Sequence, residues 1–113
     1  AKLRLIEKLK SIKSKNLIVH GYGASTKGNV LLQFFNIGKN YIQYIADRNP
    51  LKFNSFTPGT KIKIISEKKS RTMKPNYYLV LPWHFKKEIL SREKKIMNNG
   101  TKIIFPLPKL EIK

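Results

Sequence analysis

Cysteine is missing from this chain altogether, and with it disulfides and thiolate-bound zinc. Acids are nearly as scarce, with one Asp and five Glu in 113 residues. Those six and the two His are scattered without metal-ligand spacing, so no metal site is expected. No Ser/His/Asp or Cys/His arrangement and no paired carboxylates can be assembled, so no catalytic residue is expected either. Long apolar runs are also lacking: nothing approaches the ~20 residues of a membrane-spanning helix. Lysines interrupt the first residues, so they form no signal-peptide core. These shortages lead to the expectation of a cytoplasmic domain with no membrane partner.

What the chain has is apolar content and positive charge. At 41% apolar, 113 residues suffice for one modest core, so residues 1–113 are expected to form a single domain. The formal charge is +18, carried by 20 Lys and only 4 Arg. Two readings stay open. The charge suits a basic module for nucleic acid or another polyanion, or it is compositional drift on a solvated surface, since lysines sit in nearly every segment.

Periodicity orders the elements. Leu5, Ile6, Leu9 and Ile12 form a helical stripe in a leading segment, residues 1–15. Leu17–His20 reads as a strand, and a dense apolar helix after it should end at Gly38. Strands are expected at Tyr41–Ala46, at Lys61–Ile65 with one wet face, at Tyr77–Leu81 and at Thr101–Phe105. Ser66 caps a short turn over Glu67–Ser70, a helix is expected from about His84 to Met97, and residues after Pro106 and Pro108 read as a tail. Strand and helix alternate. The expectation is an α/β, Rossmann-like three-layer fold, with a mainly parallel sheet of about 4–5 strands and helices on both faces.

In such folds ligands gather at the carboxyl ends of the strands. Three segments fall there: Gly21–Gly28, Asp47–Pro50 and Pro82–His84. In the first, a strand breaks into a glycine turn and then a helix, as in a phosphate cradle. The dinucleotide fingerprint wants its third glycine where Thr26 stands, and the ATPase phosphate loop lacks its Lys and Ser/Thr at Asn29 and Val30. A stand-alone NAD enzyme is therefore disfavoured. Ser25 or Thr26 could cap the helix. Lys27 opposes the helix dipole at a cost of ~0.3–1 kcal/mol when exposed, which a bound anion would reverse; a solvated side chain is the alternative. Asp47 could meet a ribose hydroxyl or simply initiate the Asp-Arg-Asn-Pro turn. Trp83 could stack on a base or fill the core rim, His84 could donate a hydrogen bond, and His20 reads as a structural histidine.

Gly21-Tyr-Gly-Ala-Ser-Thr-Lys-Gly-Asn29, Asp47-Arg-Asn-Pro50, Pro58-Gly-Thr60 and Leu81-Pro-Trp83, in this order, resemble the C-terminal domain of the sugar C-methyltransferases over residues 17–108. The resemblance implies a part of a three-part chain: a zinc-binding region, a methyltransferase domain holding S-adenosylmethionine, and a Rossmann-like domain that helps hold a nucleotide-linked keto sugar. No cofactor is then expected in this domain; S-adenosylmethionine belongs to a separate domain of the full-length protein. The implied partners are the nucleotide-sugar substrate and a methyltransferase domain of the same chain or complex. The ligand face so implied comprises Gly21, Tyr22, Gly23, Ala24, Ser25, Thr26, Lys27, Asp47, Asn49, Pro82, Trp83 and His84. His84 departs from the amide expected in many relatives, and the glycine loop could instead contact the methyltransferase domain.

Overall fold

Apolar runs with both faces shielded from water become parallel strands. The computed structural model describes residues 2–113, with the backbone alone for Lys2 and Leu3. Ala1, the start of the expected leading segment, lies outside the described residues. The strands are β1 (Val19–Tyr22), β2 (Tyr44–Asp47), β3 (Lys63–Ser66), β4 (Tyr77–Val80), β5 (Lys102–Phe105) and β6 (Glu111–Ile112). They lie in one sheet of order β3-β2-β1-β4-β5-β6, all parallel except β6. The helices are α1 (Lys2–Ser14), α2 (Thr26–Phe34), α3 (Glu67–Thr72), α4 (Lys86–Arg92) and α5 (Lys94–Asn98).

The period-two alternation of strand side chains builds two cores. Tyr77 and Leu79 of β4 join Leu5, Leu9 and Ile12 of α1 and Leu32 of α2 on one face. Tyr78 and Val80 join Ile89 of α4 on the other, with Leu90, Ile96 and Met97 packed against them. The result is the expected Rossmann-like three-layer fold. Its switch point falls between β1 and β4, where the strand order reverses.

Several boundaries move, each for a local reason. β1 begins two residues later than expected, because the Asn76 side chain takes the Ile18 N–H while Gly21 and Tyr22 pair with both β2 and β4. Gly21 and Tyr22 are therefore strand, and the turn starts at Gly23. Helix α2 stops before Gly38: Asn36 takes the left-handed conformation (φ 56°) and the Ile37 N–H reaches back to the Leu32 carbonyl. β2 starts at Tyr44 and runs on to Asp47, since Gly38–Ile42 forms a turn. β3 has no wet face, for Ile64 and Ile65 are both buried.

Two corrections are larger. The expected helix over 84–97 is a 3-10 turn (Trp83–Phe85) followed by α4 and α5, separated at Glu93, whose side chain is drawn into the fold. The expected tail turns back after Pro108 to form β6, antiparallel to β5, with Leu110 and Ile112 packed on the α1 and α2 face. The sheet thus has six strands where 4–5 were expected.

Candidate functional site

The three carboxyl-end segments do converge. Each is held by its own hydrogen bonds before any ligand is considered. Gly23 sits at φ +89° with its N–H donating 2.8 Å to the Ala46 carbonyl, and a Cβ there would lie 2.8 Å from the Pro82 ring. Glycine is thus required both by the backbone angle and by the close approach of the β4 loop. Gly21, one register earlier, faces Ile45 of β2, where a Cβ would stand 2.8 Å from Cγ1.

Asp47 clasps the first two segments together. Its Oδ2 accepts the Ala24 N–H at 2.7 Å and its Oδ1 accepts the Asn49 N–H at 2.8 Å. The second of these is the turn-forming bond that an Asp-x-Asn sequence offers. Lys52 Nζ closes the same corner, donating 2.9 Å to the Ala24 carbonyl and lying 3.9 Å from Asp47 Oδ2. Charge-assisted bonds of this kind contribute about 1.5–3 kcal/mol. Asn49 Oδ1 accepts the Leu51 N–H and caps the 3-10 turn Pro50–Lys52.

Ser25 is the α2 cap, its Oγ accepting the Gly28 N–H at 3.0 Å, and Thr26 begins the helix on the exposed side. Lys27 Nζ stands 5.4 Å over the Trp83 ring centroid. This cation–π contact offsets the unfavourable dipole position and places an ammonium beside an aromatic face at the open edge. Trp83 is half-buried against the α4 core, while His84 and Phe85 are exposed, their ring centroids 4.3 Å apart. The edge therefore presents Ser25–Lys27, Asn49 and Trp83–His84 around the switch point.

Tyr22 is placed differently from its neighbours. Its side chain is buried on the α4 face, and its hydroxyl donates 2.5 Å to Glu93 Oε2 and accepts from Arg92. Burial, with the bond to Glu93 adding to it, pushes the Tyr22 hydroxyl well above the usual tyrosine range. Burial alone would raise the Glu93 carboxyl, but the Arg71 and Tyr22 hydrogen bonds override it and hold it below the usual range. Arg71 grips Glu93 with two bonds, Nε to Oε1 at 3.1 Å and Nη2 to Oε2 at 2.7 Å. Arg48, Arg71 and Arg92 all approach Glu67 at 3.4–3.8 Å.

This Arg–Glu network went unread in the sequence. Its one legible signal was a set of arginines in a lysine-dominated chain. His20, expected as structural, is fully buried: Nδ1 lies 2.6 Å from Ser70 Oγ, Ser70 Oγ 2.6 Å from the Tyr78 hydroxyl, and Nε2 has no partner. Among the described residues no group of three or more His, Asp or Glu could hold a metal, and no helix is long and apolar enough to cross a membrane. A cleft of about 630 Å³ opens at the opposite edge, by Asn76 and Thr101; it reaches Arg71 but none of Ser25–Lys27, Asn49 or Trp83–His84.

Comparison with known proteins agrees with this architecture. Residues 1–108 match the family model described as the C-methyltransferase C-terminal domain. Over 102 residues the chain is 35% identical to the C-methyltransferase NovU of Streptomyces niveus. That alignment covers 90% of this chain and 24% of the relative, so the chain spans about a quarter of the relative's length.

Proposed function

Because this chain belongs to the family of C-methyltransferase C-terminal domains, we propose that it anchors the substrate of a cytoplasmic S-adenosylmethionine-dependent C-methyltransferase acting on a nucleotide-linked sugar. The methyl donor is held by a separate domain, and the chemistry is completed there. The observation that carries this reading is the convergence of Gly23–Lys27, Asp47–Asn49 and Pro82–His84 at the switch point, with Lys27 over Trp83. A cation beside a half-buried aromatic ring suits a ligand with a phosphate and a flat or sugar ring. Asp47 and Gly23 act as the clasp that fixes the three loops, while Ser25, Thr26, Lys27, Asn49, Trp83 and His84 face the ligand. Pro82 seats the β4 loop on Gly23. Gly21 permits the close strand approach beneath, and Tyr22 ties the edge to the arginines.

Thymidine diphosphate glucose serves as the probe. Titrated into the protein and followed by amide NMR, it is expected to shift Gly23–Gly28, Asp47–Asn49 and Trp83–His84. Shifts confined to other segments would overturn the assignment.

A further inference from the structure

Three of the chain's four arginines meet at one place, in a protein that otherwise uses lysine. The place is the carboxyl edge on the α3 and α4 face, just past β2 and β3, with Glu67 at its centre. Arg71 is spent on Glu93. Arg48 and Arg92 are not spent in this way. They stand 3.8 and 3.7 Å from Glu67, and Arg92 Nε lies 3.5 Å from Glu93 Oε2, all within charge-pairing range but beyond a good N–H···O bond. Arg92 also directs two donors at the Tyr22 hydroxyl, which fixes its orientation. The Arg48 side chain is 68% exposed against 13% for Glu67. Counting Arg48, Arg71 and Arg92 against Glu67 and Glu93, the cluster carries one uncompensated positive charge. The Arg48 guanidinium, mostly in water, makes no hydrogen bond to its carboxylate, and Arg92, held through Tyr22, keeps donors to spare; together they match a multidentate oxyanion better than any ammonium would.

We propose that Arg48 and Arg92, braced around Glu67, form a clamp for the diphosphate of a nucleoside diphosphate ligand. This rests on the reading above and extends it to the sheet face opposite Lys27. Arg48 follows Asp47, whose side chain bonds Ala24 on the α2 side, and strand alternation sends Arg48 to the α3 and α4 side. The two loops are thereby tied to one edge from both faces.

With four arginines in the chain, the side-chain Nε–H spectrum has four signals, and Arg4 on α1 is an internal control. Inorganic pyrophosphate is expected to shift Arg48 and Arg92 saturably and leave Arg4 in place. Arg48→Met should weaken that binding at least tenfold, with Arg48→Lys between it and the parent. Arg48 is exposed, so neither variant threatens the fold. Equal shifts at all four signals, no saturation at millimolar pyrophosphate, or full affinity in Arg48→Lys would overturn the clamp.

Thymidine diphosphate glucose separates the two claims. Perturbation of Gly23–Lys27 with Arg48 and Arg92 silent removes the clamp and keeps the anchoring function. Perturbation of Arg48 and Arg92 with Gly23–Lys27 and Trp83–His84 silent removes the anchoring site at the switch point and keeps the clamp.

Discussion

Glycine inside a helix ordinarily costs about 1 kcal/mol relative to alanine, and Gly28 in α2 reverses that sign. A Cβ at this position would stand 2.5 Å from Leu81 Cβ and 2.9 Å from the capping Ser25 Oγ. Leu81 Cβ is fixed to its backbone, and Ser25 Oγ is held in its cap bond to the Gly28 N–H. Gly28→Ala is expected to destabilise the fold by about 1–3 kcal/mol, the usual cost of forced overpacking, read as a lower urea midpoint with unchanged slope. His20 shows a second residue-level effect. Burial pushes its imidazole down to about 4 from an ordinary 6.5, so the folded protein keeps it neutral while the unfolded chain takes up a proton. Between pH 6.5 and 4 the unfolded state binds more protons, and stability must fall as pH falls. The urea midpoint is therefore expected to drop from pH 7 to pH 4.5. A His20→Leu variant should lose that part of the slope, and an unchanged slope would remove His20 as its cause.

At the level of elements, the break between α4 and α5 depends on Glu93. With 2% of its side chain exposed, Glu93 is held by Arg71 and Tyr22, and the helix kinks to bring it there. Removing one member of a buried pair strands the other charge, a loss of about 3–5 kcal/mol; Arg71 keeps a third of its surface in water, so roughly 3 is expected for Glu93→Ala. Chemical denaturation should show that loss, and Arg71→Met with Glu93→Leu should recover most of it. A single variant as stable as the parent would refute the role. The same pair explains why this region was hard to read. Ile89, Leu90 and Ile96 have helical spacing, so periodicity announced one helix, and a charge that bends it leaves no mark in an apolar pattern. By contrast, Tyr77–Val80 and the Gly23 turn were legible, because a buried parallel strand and a required positive φ each leave a direct compositional trace. Of the candidate site, the convergence of the loops could be read from topology, but the Asp47 clasp on Ala24 and the arginines around Glu67 are long-range pairings that spacing does not encode.

For the whole molecule the question is what +18 does. Exposed lysines stand on α1 (Lys10, Lys13), α3 (Lys68, Lys69), α5 (Lys94, Lys95) and at the sheet margins (Lys39, Lys102), so the charge surrounds the fold instead of forming one stripe. A shell of this kind attracts polyanions from every side without registering a sequence. Duplex DNA is therefore expected to bind at low salt with no sequence preference and to be released steeply, log affinity falling by about 0.9 per phosphate neutralised for each tenfold rise in salt. Thymidine diphosphate glucose carries only two phosphates, so its binding releases far fewer counterions than a duplex and should weaken far more gently across the same range. Anisotropy of a labelled 20-base-pair duplex at about 25 and 150 mM salt, beside the nucleotide-sugar titration at both, measures the difference. DNA affinity that survives at about 150 mM, or that distinguishes one sequence from another, would make the basic shell a functional surface and raise nucleic acid from the alternative to the first of the partners.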